Sequence, residues 1–142
     1  MLMYVIPYDS EIQRLAAKFD CGNSHLNAFL KSSRALDPGI GKTYVLLVDD
    51  ASSIVGYYNI GVGYIEQQRD GMPQKMGGSV HINCFALDER FQKAPMDIPD
   101  LPDDGEIYHI SDFLLNDCIN RIEMIRDKHV GFSFITLCST EK

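Results

Sequence analysis

Three things are missing from this 142-residue chain, and each absence removes a class of function. No apolar run approaches the length of a membrane span. Met1-Leu-Met-Tyr-Val-Ile is followed by Pro7, Asp9 and Glu11 rather than by a signal-peptide cleavage region, so a soluble, cytoplasmic protein is expected. The four cysteines, Cys21, Cys84, Cys118 and Cys138, show no paired metal-ligand spacing. Three of them sit inside apolar stripes and read as reduced core residues, and no metal site is expected. Positive charge is also short: 13 basic against 20 acidic side chains give a formal charge of −7, which disfavours a general nucleic-acid surface while leaving room for a local basic patch.

What is present is an ordinary globular balance, with 45% hydrophobic and 23% charged residues, on a length that suits one domain spanning 1–142. The last third carries the most information. Ser79 to Leu87 is a largely apolar run (Val80, Ile82, Cys84, Phe85, Ala86, Leu87) that reads as a strand. Ser111 to Lys128 follows with Leu115, Cys118, Ile119, Ile122 and Ile125 at helical spacing. Gly131 to Leu137 is a second strand. Two strands joined through a helix lie parallel with a right-handed crossover. Ligands bind such units outside the carboxyl ends of the strands, where free helix N–H groups attract anions.

Upstream, Tyr4 to Pro7 reads as a first strand, and Ser10-Glu-Ile-Gln13 has the capping-box pattern ahead of a helical face of Ile12, Leu15, Ala16 and Phe19. A short helix capped by Asn23 follows, with Leu26, Phe29 and Leu30 inward and Asp37-Pro-Gly at its end. Thr43 to Asp49 and Ile54 to about Glu66 form an antiparallel hairpin. Alternation on the longer strand puts Asn59, Gly61 and Gly63 on one face and Tyr58, Ile60, Val62 and Tyr64 on the other. The bare face suits a ligand, a bulge or a closely packed helix. Gly39-Ile-Gly-Lys-Thr43 ends like a phosphate-binding loop, but the first glycine of that motif would fall at Leu36 and the flanking elements come in the wrong order. The acidic stretch Asp97 to Glu106 reads as a solvated loop.

The block Phe19-Asp-Cys-Gly-Asn23, then Leu26-Asn27 and Phe29-Leu30, then Val55-Gly56-Tyr57-Tyr58, resembles the start of bacterial GNAT (Gcn5-related) N-acetyltransferases. Phe85-Ala-Leu-Asp-Glu-Arg-Phe-Gln92 is similar to the family's fourth strand and the entrance to its pyrophosphate loop. The resemblance implies an α/β fold with a mixed, mostly antiparallel sheet flanked by helices and a β-α-β unit at the C-terminal end. It also implies acetyl-CoA as co-substrate. The pantetheine would lie along Phe85, Ala86 and Leu87, and the pyrophosphate near His109, Ile110, Ser111 and Asp112. Where the family loop has glycines, this chain offers His109 and Ser111, and Asp103, Asp104 and Asp112 add negative charge. The family continues with a further helix, carrying a tyrosine that protonates the CoA thiolate, and a hairpin; this chain stops at Ser139-Thr-Glu-Lys142 and looks C-terminally short.

Acetyl transfer needs a base for the amine, and His81 is the best-placed histidine, acting directly or through a water, with Glu66 second; His25 and His129 read as solvated. The leading expectation is an acetyl-CoA-dependent N-acetyltransferase acting on a small-molecule or peptide primary amine. A catalytically weakened GNAT-like binding or assembly module is the alternative, and a GNAT toxin that acetylates aminoacyl-tRNA is a third, set back by the acidic charge. An uncharged sheet edge at Phe132 to Leu137 leads to the expectation of a homo-oligomer.

Overall fold

One five-stranded sheet organises the residues that the computed structural model describes, 2–48, 53–92 and 109–137. Its strands are β1 (Met3–Pro7), β2 (Lys42–Val48), β3 (Ile54–Arg69), β4 (Met72–Leu87) and β5 (Phe134–Leu137), and they neighbour one another in chain order. The first four pair antiparallel, and β5 joins β4 in parallel through helix α2 (Ile110–Lys128). The expected mixed, mostly antiparallel sheet with a terminal β-α-β unit is therefore what forms. The acidic stretch 97–106, the segment proposed as a pyrophosphate loop, Cys138 and the tail 139–142 lie outside the described residues.

Helices cover both faces. On one, α2 buries Ile110, Leu114, Cys118 and Ile122 against Leu46, Val55, Tyr58, Ile60, Val80 and Ile82. The stripe is one residue out of phase with the expected one at its start: Leu114 is fully buried while Leu115 is 40% exposed. On the other face, α1 (Ser24–Lys31) and two short 3-10 segments, Ile12–Lys18 and Ser33–Leu36, enclose Phe19, Leu30, Val45, Leu47, Tyr57 and Ala86.

The N-terminal capping box does not form. Asp9, not Ser10, accepts the Ile12 N–H at 2.9 Å, and the segment winds as a 3-10 helix. Gln13 instead reaches the end of α1, donating to the Ser32 carbonyl at 2.8 Å and the Leu30 carbonyl at 3.4 Å, and so satisfies carbonyls that the helix leaves open. Asn23 caps α1 as expected, accepting from His25 and Leu26 N–H. That helix ends at Lys31, before Asp37-Pro-Gly, and the chain makes a separate turn over Ser33–Leu36.

The β3–β4 hairpin is longer than the sequence pattern suggests. Both strands run for 16 residues, meeting at Asp70-Gly71, where both backbones have positive φ (53° and 77°) as a tight two-residue turn requires. Two register shifts leave Asn83 and Met76 as extra residues on β4. The bare glycine face of β3 receives packed backbone and a bulge. A Cβ on Gly61 would meet the Ile40 carbonyl and the Asn83 amide, and Gly41 sits against Asn59 and the Ile60 carbonyl. The close approach lets a polar ladder run from the exposed Asn83 to the buried Asn59 and Thr43. Asn83 donates to Asn59 (2.8 Å), Asn59 to Thr43 (2.8 Å), and Thr43 to the Ala35 carbonyl (2.6 Å).

Candidate functional site

The C-terminal end of β4 opens into a cleft of about 230 Å³. Phe85, Ala86 and Leu87 form its floor, Ser111 from the first turn of α2 its far end, and Cys21, Asn23 and Leu26 its near wall. The juxtaposition is a consequence of the β-α-β unit, because the helix that follows β4 must start beside the end of that strand.

Backbone alternation decides which groups face the cleft. The Asp88 N–H donates back to the Val55 carbonyl of β3 at 2.8 Å, and Ala86 lies opposite Tyr57. Successive residues of a strand aim their N–H and C=O to opposite sides. Phe85 and Leu87 therefore aim theirs away from β3, on the side where β5 pairs only with Ser79 to Ile82. The Leu87 carbonyl is occupied by the Gln92 amide at 3.0 Å. Phe85 presents a donor and an acceptor with no partner among the described residues, the arrangement that an extended ligand can meet as an added strand does.

The start of α2 supplies the polar end. The Asp112 carboxylate accepts the His109 N–H at 2.9 Å, so this acid is committed to capping the helix. The Ile110 side chain is buried in the core (2% exposed) and can offer a ligand only its backbone. The N–H groups of Ile110 and Ser111 have no partner among the described residues, and Ser111 adds a hydroxyl at the cleft.

The near wall is held by a clamp that the sequence did not reveal. Asp88 is 2% exposed, and its carboxylate accepts four hydrogen bonds: from the Arg90 N–H (3.0 Å), Arg90 Nε (2.9 Å), Arg90 Nη2 (3.3 Å) and the Asp20 N–H (3.2 Å). Burial would raise its pKa, but the Arg90 side chain and the two backbone donors outweigh that and hold the carboxyl below the usual range. Gln92 makes the second tie, donating to the Cys21 carbonyl at 2.8 Å. Within the wall, Asp20 accepts from the Gly22 N–H (2.9 Å) and the Asn27 amide (3.0 Å), which keep its pKa low. Asn27 in turn accepts the Cys21 N–H (2.9 Å). Gly22 turns the chain at φ +86°, a backbone conformation that favours glycine, beside the Glu89 carboxylate. The Phe19-Asp-Cys-Gly-Asn23 block thus has a physical job. The only local signals for it were Gly22 and the paired Asp20 and Asn27.

The two proposed bases are not brought together. His81 is half-buried on β4, with Nδ1 2.6 Å from Thr136 Oγ1 on β5. Its cross-strand partner, Gly61, is three residues from Tyr58, the partner of Phe85, a separation of roughly 10 Å. Glu66 is exposed on the far arm of the hairpin, opposite Lys75, eight residues from Tyr58 and so on the order of 26 Å away. His25 lines a second cleft beside the first, and His129 is exposed at the end of α2. Among the described residues, no group of three or more His, Cys, Asp or Glu side chains is arranged to hold a metal ion, and no helix is long and apolar enough to cross a membrane.

No protein-family model matches the sequence, and no curated protein matches it. Solved structures do match in three dimensions. A point mutant of the AtaT toxin bound to the C-terminus of the antitoxin AtaR aligns over 99% of this chain and 77% of its own, with a TM-score of 0.66 and 19% identity. AtaT complexed with acetyl-methionyl-tRNAfMet aligns over 99% and 80%, with a TM-score of 0.67 and 20% identity. AtaTR bound with acetyl-CoA aligns over 99% and 78%, with a TM-score of 0.67 and 16% identity. The sheet order, the parallel β4–β5 pair and these superpositions agree: this chain has the fold of the Gcn5-related N-acetyltransferases.

Proposed function

We propose that the chain is an acetyl-CoA-dependent N-acetyltransferase whose co-substrate occupies the cleft between β4 and the start of α2. The observation that carries this reading is the pairing of two features at one cavity: the backbone of Phe85 and, in the first turn of α2 that Ser111 brings to it, the N–H groups of Ile110 and Ser111, all without a partner among the described residues. The first suits the amides of a pantetheine arm, the second a pyrophosphate. In the reaction the neutral amine attacks the thioester carbonyl, the C–N bond forms, the C–S bond breaks, and the amine proton passes to a base while the thiolate is reprotonated. His81, directly or through a water, is the candidate base. Glu66 is too far along the hairpin to serve the same carbonyl.

The acceptor we favour is the amine of an aminoacyl-tRNA, in place of the small or peptide amine suggested by the sequence. Support comes from the neighbours, one of which is complexed with an acetylated aminoacyl-tRNA and another with acetyl-CoA. They also weigh against the expectation of a protein without nucleic-acid partners, and an antitoxin-like protein becomes a partner to test. A binding module without catalysis is the second reading, favoured by His109 and Ser111 standing where the family has glycines. Incubating the protein with radiolabelled acetyl-CoA and methionyl-tRNA separates them. The enzyme reading expects label in the aminoacyl moiety, and acetyl-CoA binding without transfer to any amine would support the module.

A further inference from the structure

A second cleft, about 350 Å³, opens on the α1 side of β4. Leu26 belongs to both clefts, and the second also takes in Cys84, the residue before Phe85 in β4. Its lining suits an apolar guest. Leu26, Ala28, Phe29 and Cys84 supply carbon and sulfur surface, and the Ser32 hydroxyl already donates to the Phe29 carbonyl at 2.7 Å. Burial raises the pKa of the Cys84 thiol, so that side chain carries no charge near neutral pH. The direction of the co-substrate follows from the first cleft. With pyrophosphate at Ser111 and pantetheine along Leu87, Ala86 and Phe85, the thioester falls at the Cys84 end, beside the second cleft. An acetyl group extends one methyl beyond its carbonyl, which leaves most of 350 Å³ unfilled. A longer carbon chain would replace water against Leu26, Ala28 and Phe29.

We infer that the second cleft is an acyl-chain subsite and that this protein takes acyl-CoA thioesters longer than acetyl-CoA, their chains running from the thioester at Phe85 along Cys84, Leu26 and Phe29. The inference rests on the acetyltransferase reading and names the class of acyl group that the same site accepts. The transfer step keeps its balance: the amine nitrogen bonds to the acyl carbonyl carbon, the C–S bond breaks, the amine loses a proton and the CoA thiolate gains one. A methylene fully withdrawn from water strengthens binding about fourfold. This cleft is open on one side, so about twofold per methylene is expected, or roughly fifteenfold over the four methylenes that separate hexanoyl from acetyl.

The test is calorimetry on the whole chain with acetyl-, butyryl- and hexanoyl-CoA in the absence of any acceptor. Affinity should rise along the series by the factor given above. Ala28 is exposed on α1, so A28W places its ring in the cleft without entering the core, and it should bring the ratio of hexanoyl-CoA to acetyl-CoA affinity close to one. A second measurement needs no variant. Intermolecular nuclear Overhauser effects in the wild type should join the terminal methyl of hexanoyl-CoA to the Ala28 methyl and the Phe29 ring. A series that is flat or falls with chain length would overturn the proposal and leave the cleft to the acceptor. A rise that A28W leaves intact, or a terminal methyl that touches neither Ala28 nor Phe29, would overturn it as well. Acetyl-CoA that binds with no gain from longer chains leaves the acetyltransferase reading standing, whereas failure of every thioester to bind removes both.

Discussion

Replacing Asp88 with alanine removes the clamp that joins the Phe19–Asn23 block to the end of β4. Two backbone donors, the N–H groups of Asp20 and Arg90, lose their acceptor in a place that is 2% exposed, at a cost of about 1 kcal/mol each. The Arg90 side chain is 57% exposed and returns to water, so the ion pair adds only a few tenths of a kcal/mol. The expected loss is about 2 to 3 kcal/mol, read as a drop in urea midpoint at unchanged slope, with a melting temperature lower by about 8 °C. The pH dependence carries a sign. The folded carboxyl titrates below its unfolded value, so its contribution is present above the ordinary carboxylate range and is lost as pH falls through the folded pKa. The stability gap between wild type and D88N should therefore hold steady at neutral pH and shrink below about pH 4. A loss under about 0.5 kcal/mol for D88A, or a gap that widens in acid, would refute this account of the clamp.

Three further outcomes follow from the same geometry. Gly41→Ala would place a Cβ against the Asn59 side chain and 2.7 Å from the Ile60 carbonyl, so it should destabilise by about 2 kcal/mol in urea melts, more than Gly71→Ala, which faces open space and suffers only its positive φ. Tyr58→Phe removes a hydroxyl that donates to Asp117 at 2.6 Å and accepts from Arg121 at 2.8 Å, between β3 and α2. It should cost about 1 to 2 kcal/mol, and a neutral result would show that Asp117 and Arg121 satisfy each other without it. His81→Ala should lower the acetylation rate about a hundredfold while leaving acetyl-CoA affinity unchanged, and a full rate in the variant would return His81 to a purely structural partner of Thr136.

Local pattern carried much of the fold. Period and composition placed β1, β2, α1, α2 and β5, because each buries an apolar stripe that shows in the residue order. Phase was less secure: Leu114 and Leu115 are both apolar, and only the tertiary contact decides that Leu114 meets the sheet. The outer hairpin escaped the pattern because Glu66 to Arg69 and Met72 to Lys75 face solvent and have no apolar alternation to display. The Asp70-Gly71 dipeptide was the available signal. At the site, the sequence order of strand and helix brought Phe85–Leu87 and Ser111 into view. The Cys21–Leu26 wall, Gln92 and Asp88 were not legible as one unit, since their roles depend on contacts across as many as 71 residues of chain.

Acetyl-CoA binding to the cleft is the claim on which the rest depends. Nitrogen-15 heteronuclear spectra of the full chain titrated with acetyl-CoA to millimolar concentration test it directly. The account predicts shifts concentrated at the amides of Cys21, Phe85, Ile110 and Ser111, with Glu66 and the tip of the hairpin unmoved. An unchanged spectrum, or shifts gathered away from the end of β4, would contradict it.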